Sequence, residues 1–90
     1  MYKLAYTDEA KKRIGKLGSE AKHRVKAAAE RLAADPRIGK RLTHELSEYW
    51  SYRVGDYRIL YRVFEKQVLV VIVTVGHRKN VYKKASRKWN

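Results

Sequence analysis

Arginine side chains recur at regular offsets along two stretches of alternating polar and apolar residues. In YRILYRV, period-two alternation puts Arg58 and Arg62 on one face of a predicted strand, and Arg53 lies on the strand before it. His77 and Arg78 follow the apolar run that comes next. If that run forms a neighbouring strand, these groups meet at one edge of the sheet. Forked guanidinium donors there could bind a phosphate and stabilise negative charge developing on it.

Two further groups near this edge could act on a nucleotide. His77 can exchange a proton near neutral pH, and Tyr82 offers a ring on which a base can stack and a phenol for a hydrogen bond. Any chemistry at this cluster would use side chains alone. The predicted catalytic residues are Arg58, Arg78, Tyr82 and His77.

The other strand arginines have two possible interpretations. We predict that Arg53 and Arg62 bind RNA beside the catalytic cluster. The alternative is that a strand arginine faces solvent and forms an ordinary ion pair, for which Glu48 and Glu65 are the available carboxylates.

The charge of the chain favours a polyanionic partner. Its 90 residues include 22 Lys and Arg against 9 Asp and Glu, which gives a formal net charge of +13 and a pI near 10.2. Because such an excess repels itself in a small fold, nucleic acid is the simplest partner. An acidic membrane surface and an acidic protein remain possible partners, and the charge could also serve only to keep a basic protein in solution. The helix residues predicted to contact RNA backbone are Lys11, Lys12, Arg13, Lys16, Lys22, Arg24 and Lys26.

The composition argues against several other kinds of site. There is no cysteine, and the three histidines have no carboxylate-rich cluster near them, so we expect neither a metal nor a cofactor. P-loop, nucleophile-elbow and dinucleotide-binding motifs are absent. The apolar run 68–75 is far shorter than the ~18 residues that span a bilayer, and the N-terminus lacks the apolar region of a signal peptide. We therefore expect a cytoplasmic protein without a membrane partner.

Helical and alternating patterns predict the elements that position these residues. A first strand alternates at its start, small apolar residues recur at helical spacing after it, and a Gly-Ser pair separates two helices. The predicted bounds are residues 2–6 for the first strand, Thr7 or Asp8 to Gly18 for the first helix, and Ser19 to Asp35 for the second.

Three strands are predicted after a less regular segment, residues 37–49, in which Ile38, Leu42 and Leu46 could tuck under the sheet. These strands are Trp50–Val54, Tyr57–Phe64 and residues 68–75, joined by tight turns at Gly55-Asp56 and Glu65-Lys66. The whole chain, residues 1–90, is predicted to be one small α+β domain. Its order is β-α-α-β-β-β, with a helix pair packed on an antiparallel-rich sheet and a short C-terminal basic tail or helix.

Two motifs in this chain resemble those of a known protein family. The segments SYRVGDYRILYRV (51–63) and VLVVIVTVGHRKNVYKKA (68–85), with KLGS (16–19) and DPRIGKRL (35–42), resemble the RelE/ParE superfamily of bacterial and archaeal toxins, and its RelE-like branch in particular. The similarity covers nearly the whole chain. It implies a single RelE-like toxin domain.

The resemblance also implies a function and partners. RelE-like toxins are ribosome-dependent endoribonucleases that cleave mRNA in the decoding site, with a 2′-hydroxyl attacking the adjacent phosphate and no metal ion. The family's phosphate-binding arginine falls on Arg58, its transition-state arginine on Arg78 and its substrate-orienting tyrosine on Tyr82. The implied partners are the ribosome, through ribosomal RNA and mRNA, and an acidic antitoxin that wraps a toxin expected to be monomeric when free.

One departure from the family pattern affects the expected mechanism. The best-studied branch carries two lysines on the strand before the hairpin, where this chain has Ser51 and Arg53. An arginine binds phosphate but is a poor proton shuttle because it stays protonated, so His77 becomes the candidate general base. Two alternatives stay open: a ParE-like toxin that acts on gyrase, and a basic nucleic-acid-binding module without enzymatic activity.

Overall fold

The computed structural model describes residues 1–77. Two helices pack on one face of a five-stranded sheet whose strand order is β1-β5-β4-β3-β2. The strands are β1 (Lys3–Tyr6), β2 (Lys40–Arg41), β3 (Trp50–Val54), β4 (Tyr57–Phe64) and β5 (Leu69–His77). The helices are α1 (Asp8–Gly15) and α2 (Ser19–Ala34). The predicted α+β fold with a helix pair on an antiparallel-rich sheet is confirmed.

The sheet is antiparallel except at one edge. β5 pairs with β4 antiparallel and with β1 in parallel, so the first strand of the chain lies beside the last described one. The strand predicted at 68–75 is shifted to Leu69–His77, because Val68 adopts the left-handed conformation (φ 50°, ψ 52°) that ends the preceding turn. β5 is buried between two neighbours, as its β-branched composition on both faces predicted.

The helix-facing side of the sheet forms the main core. Apolar residues of α1 and α2 pack on alternate residues of the strands, and the central members of this cluster are Ile14, Val25, Ala29, Leu32, Ile59, Tyr61, Val70, Ile72 and Val75. Small alanines on α2 allow the helix to approach the sheet closely. The helix pair thus covers one sheet face and leaves the other for the arginines.

The opposite face is partly covered by the segment between α2 and β3. Leu60 is fully buried there under Leu42 and Leu46, as expected, whereas Ile38 is 43% exposed. This segment contains three-residue turns at Pro36–Ile38 and His44–Leu46 and the short edge strand β2, which the sequence pattern did not predict. The predicted C-terminal tail or helix lies outside the described residues.

A β-bulge in β5 changes which side chains share a face. Leu60 pairs with Thr74, but the next residue, Tyr61, pairs with Ile72, so Val73 is an extra residue in β5. The hydroxyl of Thr7, which caps α1 by accepting a bond from the Ala10 amide, donates to the Val73 carbonyl at 2.5 Å. The bulge therefore reverses the inward and outward alternation of the end of β5.

Candidate functional site

Two of the predicted arginines face each other across the β3–β4 hairpin. Arg53 pairs with Arg58 in the strand register, so their side chains leave the same face of the sheet, with Cβ atoms about 4.5–5.5 Å apart. Gly55 turns the hairpin with a positive φ of 60°, and its carbonyl accepts a bond from Arg53 Nε at 3.1 Å. Like charges placed directly opposite each other destabilise a sheet, so this pair suits an anionic ligand that would offset the repulsion.

Arg62 lies on the same face but in a different environment. Fully buried Leu60 separates it from Arg58 along β4. Its guanidinium bonds to Glu48 at 3.1 Å and lies 4.7 Å from the centroid of the Phe64 ring. Arg62 therefore forms an ion pair with a glutamate, which was the alternative to RNA binding for a strand arginine. The two arginines that lie together at the hairpin are Arg53 and Arg58.

The end of β5 reaches the hairpin, as the sequence predicted. Gly76 pairs with Arg58, and His77 pairs with Tyr57, whose ring centroid is 6.4 Å from that of His77 in an edge-on arrangement. His77 therefore shares the helix-facing side with Tyr57, while Arg58 points to the other side. His77 thus lies at the same edge of the sheet as the hairpin arginines, but the bulge at Val73 turns its side chain to the opposite face.

Arg78 and Tyr82 lie outside the described residues 1–77. Their roles stay predictions from the sequence.

The basic residues predicted on the helices occupy several surfaces. Lys11, Lys22 and Lys26 line a groove of about 490 Å³ between β1 and the two helices, and its apolar residues include Leu4 and Ile14. Lys12, Lys16 and Arg24 are exposed, whereas Arg13 lies 3.7 Å from Glu9 one helical turn away. The helices therefore carry dispersed positive charge.

A second groove brings two predicted RNA-binding residues, Arg24 and Arg53, together with two that the sequence pattern did not single out, His23 and Arg31. His23, Arg24, Arg31 and Arg53 line a space of about 380 Å³ between α2 and the β3–β4 hairpin. Arg24 and Arg31 are seven residues apart on one helix and so lie two turns apart on the same face. Their spacing could have suggested a shared surface, but their proximity to Arg53 depends on how α2 packs on the sheet.

No group of three or more His, Asp or Glu side chains within residues 1–77 is arranged to hold a metal ion. None of the helices described here is long and apolar enough to cross a membrane.

The chain matches a known family of toxins over most of its length. Residues 4–82 match the family described as the ParE toxin of type II toxin-antitoxin systems. This chain belongs to the ParE toxin family. The RelE/ParE superfamily membership expected from the hairpin and VGHR motifs is confirmed, and the protein is the toxin of a type II toxin–antitoxin system.

The toxin is also similar to proteins named as RelE-type toxins. It is 35% identical to Toxin RelG of Mycobacterium tuberculosis over 92% of this chain and 98% of the relative. It is 26% identical to the mRNA interferase toxin RelE of Escherichia coli over 97% of this chain and 96% of the relative. The toxin–antitoxin complex RelBE2 of M. tuberculosis superposes with a TM-score of 0.80 at 37% identity, covering 86% of this chain and 91% of that one. These relatives place the toxin with the RelE-like proteins.

Proposed function

We propose that this toxin is a ribosome-dependent endoribonuclease that cleaves mRNA in the decoding site. The observation that carries the proposal is the juxtaposition of Arg53 and Arg58 on one face of the hairpin, beside the end of β5. The name of the E. coli relative, an mRNA interferase, supports the same activity. Two adjacent guanidiniums can bind the nonbridging oxygens of one phosphodiester with forked hydrogen bonds.

The proposed reaction is an attack by the 2′-oxygen of the ribose on the adjacent phosphorus. The 2′-hydroxyl loses its proton, a 2′,3′-cyclic phosphate forms, and the 5′-oxygen of the next nucleotide leaves and takes up a proton. Arg58 binds the phosphate in the ground state, and Arg78 stabilises the additional negative charge of the transition state. Tyr82 stacks on or orients a base, and Arg53 adds positive charge at the scissile linkage.

His77 is the proposed group for proton transfer, and its position sets an expectation. Its ring lies against Tyr57 on the face opposite Arg58, so a direct bond from His77 to a phosphate held by Arg58 would require the substrate to reach around the end of the sheet. We therefore expect His77→Ala to reduce cleavage less than Arg58→Ala does. A larger loss on His77→Ala would identify His77 as the principal base.

Expression from a tightly controlled promoter, followed by mapping of transcript 5′ ends, tests the proposal. The wild-type toxin should stop growth and produce cuts at fixed codon positions, and Arg78→Ala should reduce cutting by about 100-fold or more, as expected when a transition-state contact is lost. Arg58→Ala should also reduce cutting through weaker phosphate binding, and Tyr82→Phe, which keeps the ring, should reduce it only as far as the phenol's hydrogen bond contributes. Arg37→Ala is the matched control, because Arg37 pairs with Glu65 at 3.4 Å, away from the hairpin arginines. Growth arrest without codon-positioned cuts would refute ribosomal cleavage.

A second function, inhibition of gyrase, is favoured by the family name alone. The matching family is described as the ParE toxin. The resemblance to the ParE-like branch implies a toxin of the same fold whose target is gyrase. In a supercoiling assay with purified gyrase, this alternative predicts inhibition that Arg58→Ala does not abolish. Absence of inhibition together with codon-positioned cuts would exclude it.

We further propose that an acidic antitoxin is the partner of this toxin in the cytoplasm. The net charge of +13 favours such a chain, and RelBE2, which shares the fold, is a toxin–antitoxin complex. The toxin would be monomeric when free and would form a hetero-oligomer with the antitoxin. Its contact with the ribosome would be through RNA backbone, so we expect it to weaken as the salt concentration rises.

A further inference from the structure

The groove between α2 and the β3–β4 hairpin gathers three arginines and has no acidic residue in its lining, although Glu20 and Asp56 line the adjoining space next to Arg24. Arg24, Arg31 and Arg53 line this space of about 380 Å³, together with His23. We call it the arginine groove. Ala27, Val54 and Gly55 form the rest of its lining.

Neighbouring groups contact two of the three guanidiniums of the arginine groove, and the third lies beside the hairpin turn. Arg53 Nε donates to the Gly55 carbonyl at 3.1 Å, and the Arg31 guanidinium lies 6.0 Å from the centroid of the Tyr52 ring. Arg24 lies so close to the hairpin turn that a Cβ atom built on Gly55 would be 3.7 Å from Arg24 Nη1. The donors are therefore partly positioned before any ligand binds, which lowers the entropic cost of binding.

These arginines differ from others in the same fold in their ion pairing. Arg13, Arg37 and Arg62 each lie within 4 Å of a glutamate carboxylate. Within residues 1–77, no carboxylate lies within that distance of the guanidiniums of Arg24, Arg31 or Arg53. A polyanionic ligand is the chemistry that would offset their mutual repulsion, and forked donors suit phosphate in particular.

The position of the groove relates it to the hairpin arginines. β2 pairs only with Trp50 and Ser51, so the outer edge of residues 52–54 is left without a strand partner in the described chain and the groove opens there. Arg53 lines the groove and is also the cross-strand neighbour of Arg58. A single strand of RNA whose phosphate is bound by Arg58 could therefore continue past Arg53 into the groove. The volume is that of a small-ligand site, which suits part of a single strand and is too small for a double helix.

We propose that the arginine groove binds backbone phosphates of the same single-stranded RNA that Arg58 holds, next to the linkage to be cleaved. The proposal rests on the proposed function in taking RNA as the substrate. It assigns Arg31 and His23 to RNA binding together with Arg24. The groove lengthens the contact with the RNA and fixes its direction across the hairpin.

Binding to uncleavable RNA tests the groove separately from catalysis. The probes are 2′-O-methylated oligoribonucleotides of about three and about twelve nucleotides, since single-strand sites commonly span several nucleotides, and binding is followed by fluorescence anisotropy at several salt concentrations. The test variant is Arg24→Gln with Arg31→Gln. The control variant is Arg37→Gln with Arg41→Gln, which removes the same charge from exposed positions elsewhere, and thermal melts check that both fold.

We expect the groove variant to bind the longer oligonucleotide roughly tenfold more weakly, with the slope of log K against log salt smaller by about 1.4 because two phosphate contacts are lost. Its affinity for the short oligonucleotide and the control variant's affinity for either should change less than about twofold. Equal weakening in the control or equal weakening for the short probe would overturn the proposal. So would unchanged RNA binding with weaker binding of a synthetic glutamate-rich peptide, which would make the groove a site for an acidic protein.

The result can be distinguished from failure of the proposed function. No ribosome is present and the probe has no free 2′-hydroxyl, so cleavage does not enter the measurement. If the groove variant behaves as expected and transcripts show no codon-positioned cuts, RNA binding stands and ribosomal cleavage falls. If transcripts show codon-positioned cuts and the groove variant binds RNA as tightly as wild type, ribosomal cleavage is supported and RNA binding by the arginine groove is refuted.

Discussion

Replacing Tyr61 by phenylalanine should reveal how a single buried phenol supports the arginine-bearing sheet. Tyr61 is fully buried on β4, and its hydroxyl donates to the Pro36 carbonyl at 2.6 Å. Removing the hydroxyl leaves that carbonyl buried without this donor, which costs about 1–3 kcal/mol. For a domain of this size a loss of 2 kcal/mol lowers the melting temperature by about 8–16 °C.

The alkaline pH dependence of stability gives a second readout of the same change. Burial raises the pKa of Tyr61 from 10.0 to about 12, although the Gly39 backbone amide opposes the rise. The folded state then binds more protons than the unfolded state above pH 10, so the free energy of unfolding falls as pH rises through the window from 10 to 12. Linkage gives a loss of about 1.4 kcal/mol by pH 11 from this group alone.

Urea unfolding from pH 8 to pH 11 measures both effects. The Tyr61→Phe variant should be less stable at pH 8 and should lose about 1.4 kcal/mol less than wild type between pH 8 and 11. Burial also raises the pKa of Tyr6 and Tyr49, so the variant keeps some alkaline sensitivity. Tyr57→Phe, which removes a half-buried phenol from the same strand, is the control. If the free energy of unfolding falls by the same amount between pH 8 and pH 11 in wild type and in Tyr61→Phe, the reasoning is refuted.

Three further substitutions test other local features, each by chemical denaturation. Gly39→Ala should cost about 1–3 kcal/mol because the new Cβ would lie 2.7 Å from the Ser51 carbonyl oxygen, and an unchanged midpoint would show that the backbone moves freely there. Thr7→Ala should cost about 1–2 kcal/mol by removing the α1 cap and the bond to Val73, and Thr7→Ser should restore most of it. Val68→Gly should stabilise the toxin by about 1 kcal/mol, since a β-branched residue with φ 50° is strained, and a loss instead would mean that the 47% exposed side chain makes a needed contact.

Much of the fold could be predicted from local patterns. The bounds of β3 and β4 agree with the structure, because aromatic and β-branched residues alternate on either side of a Gly-Asp turn. The helix pair follows from apolar spacing and from the Gly18-Ser19 junction, although α1 ends at Gly15 and Gly18 caps α2 instead. The two-residue strand β2 was missed because so short an element leaves no periodic signal.

The candidate site shows where sequence reasoning fails. Adjacency of β4 and β5 was predicted, and regular alternation from Ile72 would have placed His77 on the face of Arg58. One extra residue, Val73, reverses that outcome, and nothing in an unbroken apolar run marks a bulge. The arginine groove was missed for a related reason, because its members come from α2 and the hairpin and meet only through tertiary packing.

The parallel pairing of β1 with β5 has a consequence for how this toxin is made. Lys3 pairs with Leu69 and Tyr6 with Ile72, so β1 can join the sheet only after residues 69–72 have been synthesised. Until then, the two helices cannot pack on a complete sheet, because β5, which lies between β1 and β4, has not been made. Folding of the complete sheet therefore follows synthesis of β5, and a chain that stops before residue 69 cannot form the β1–β5 pairing.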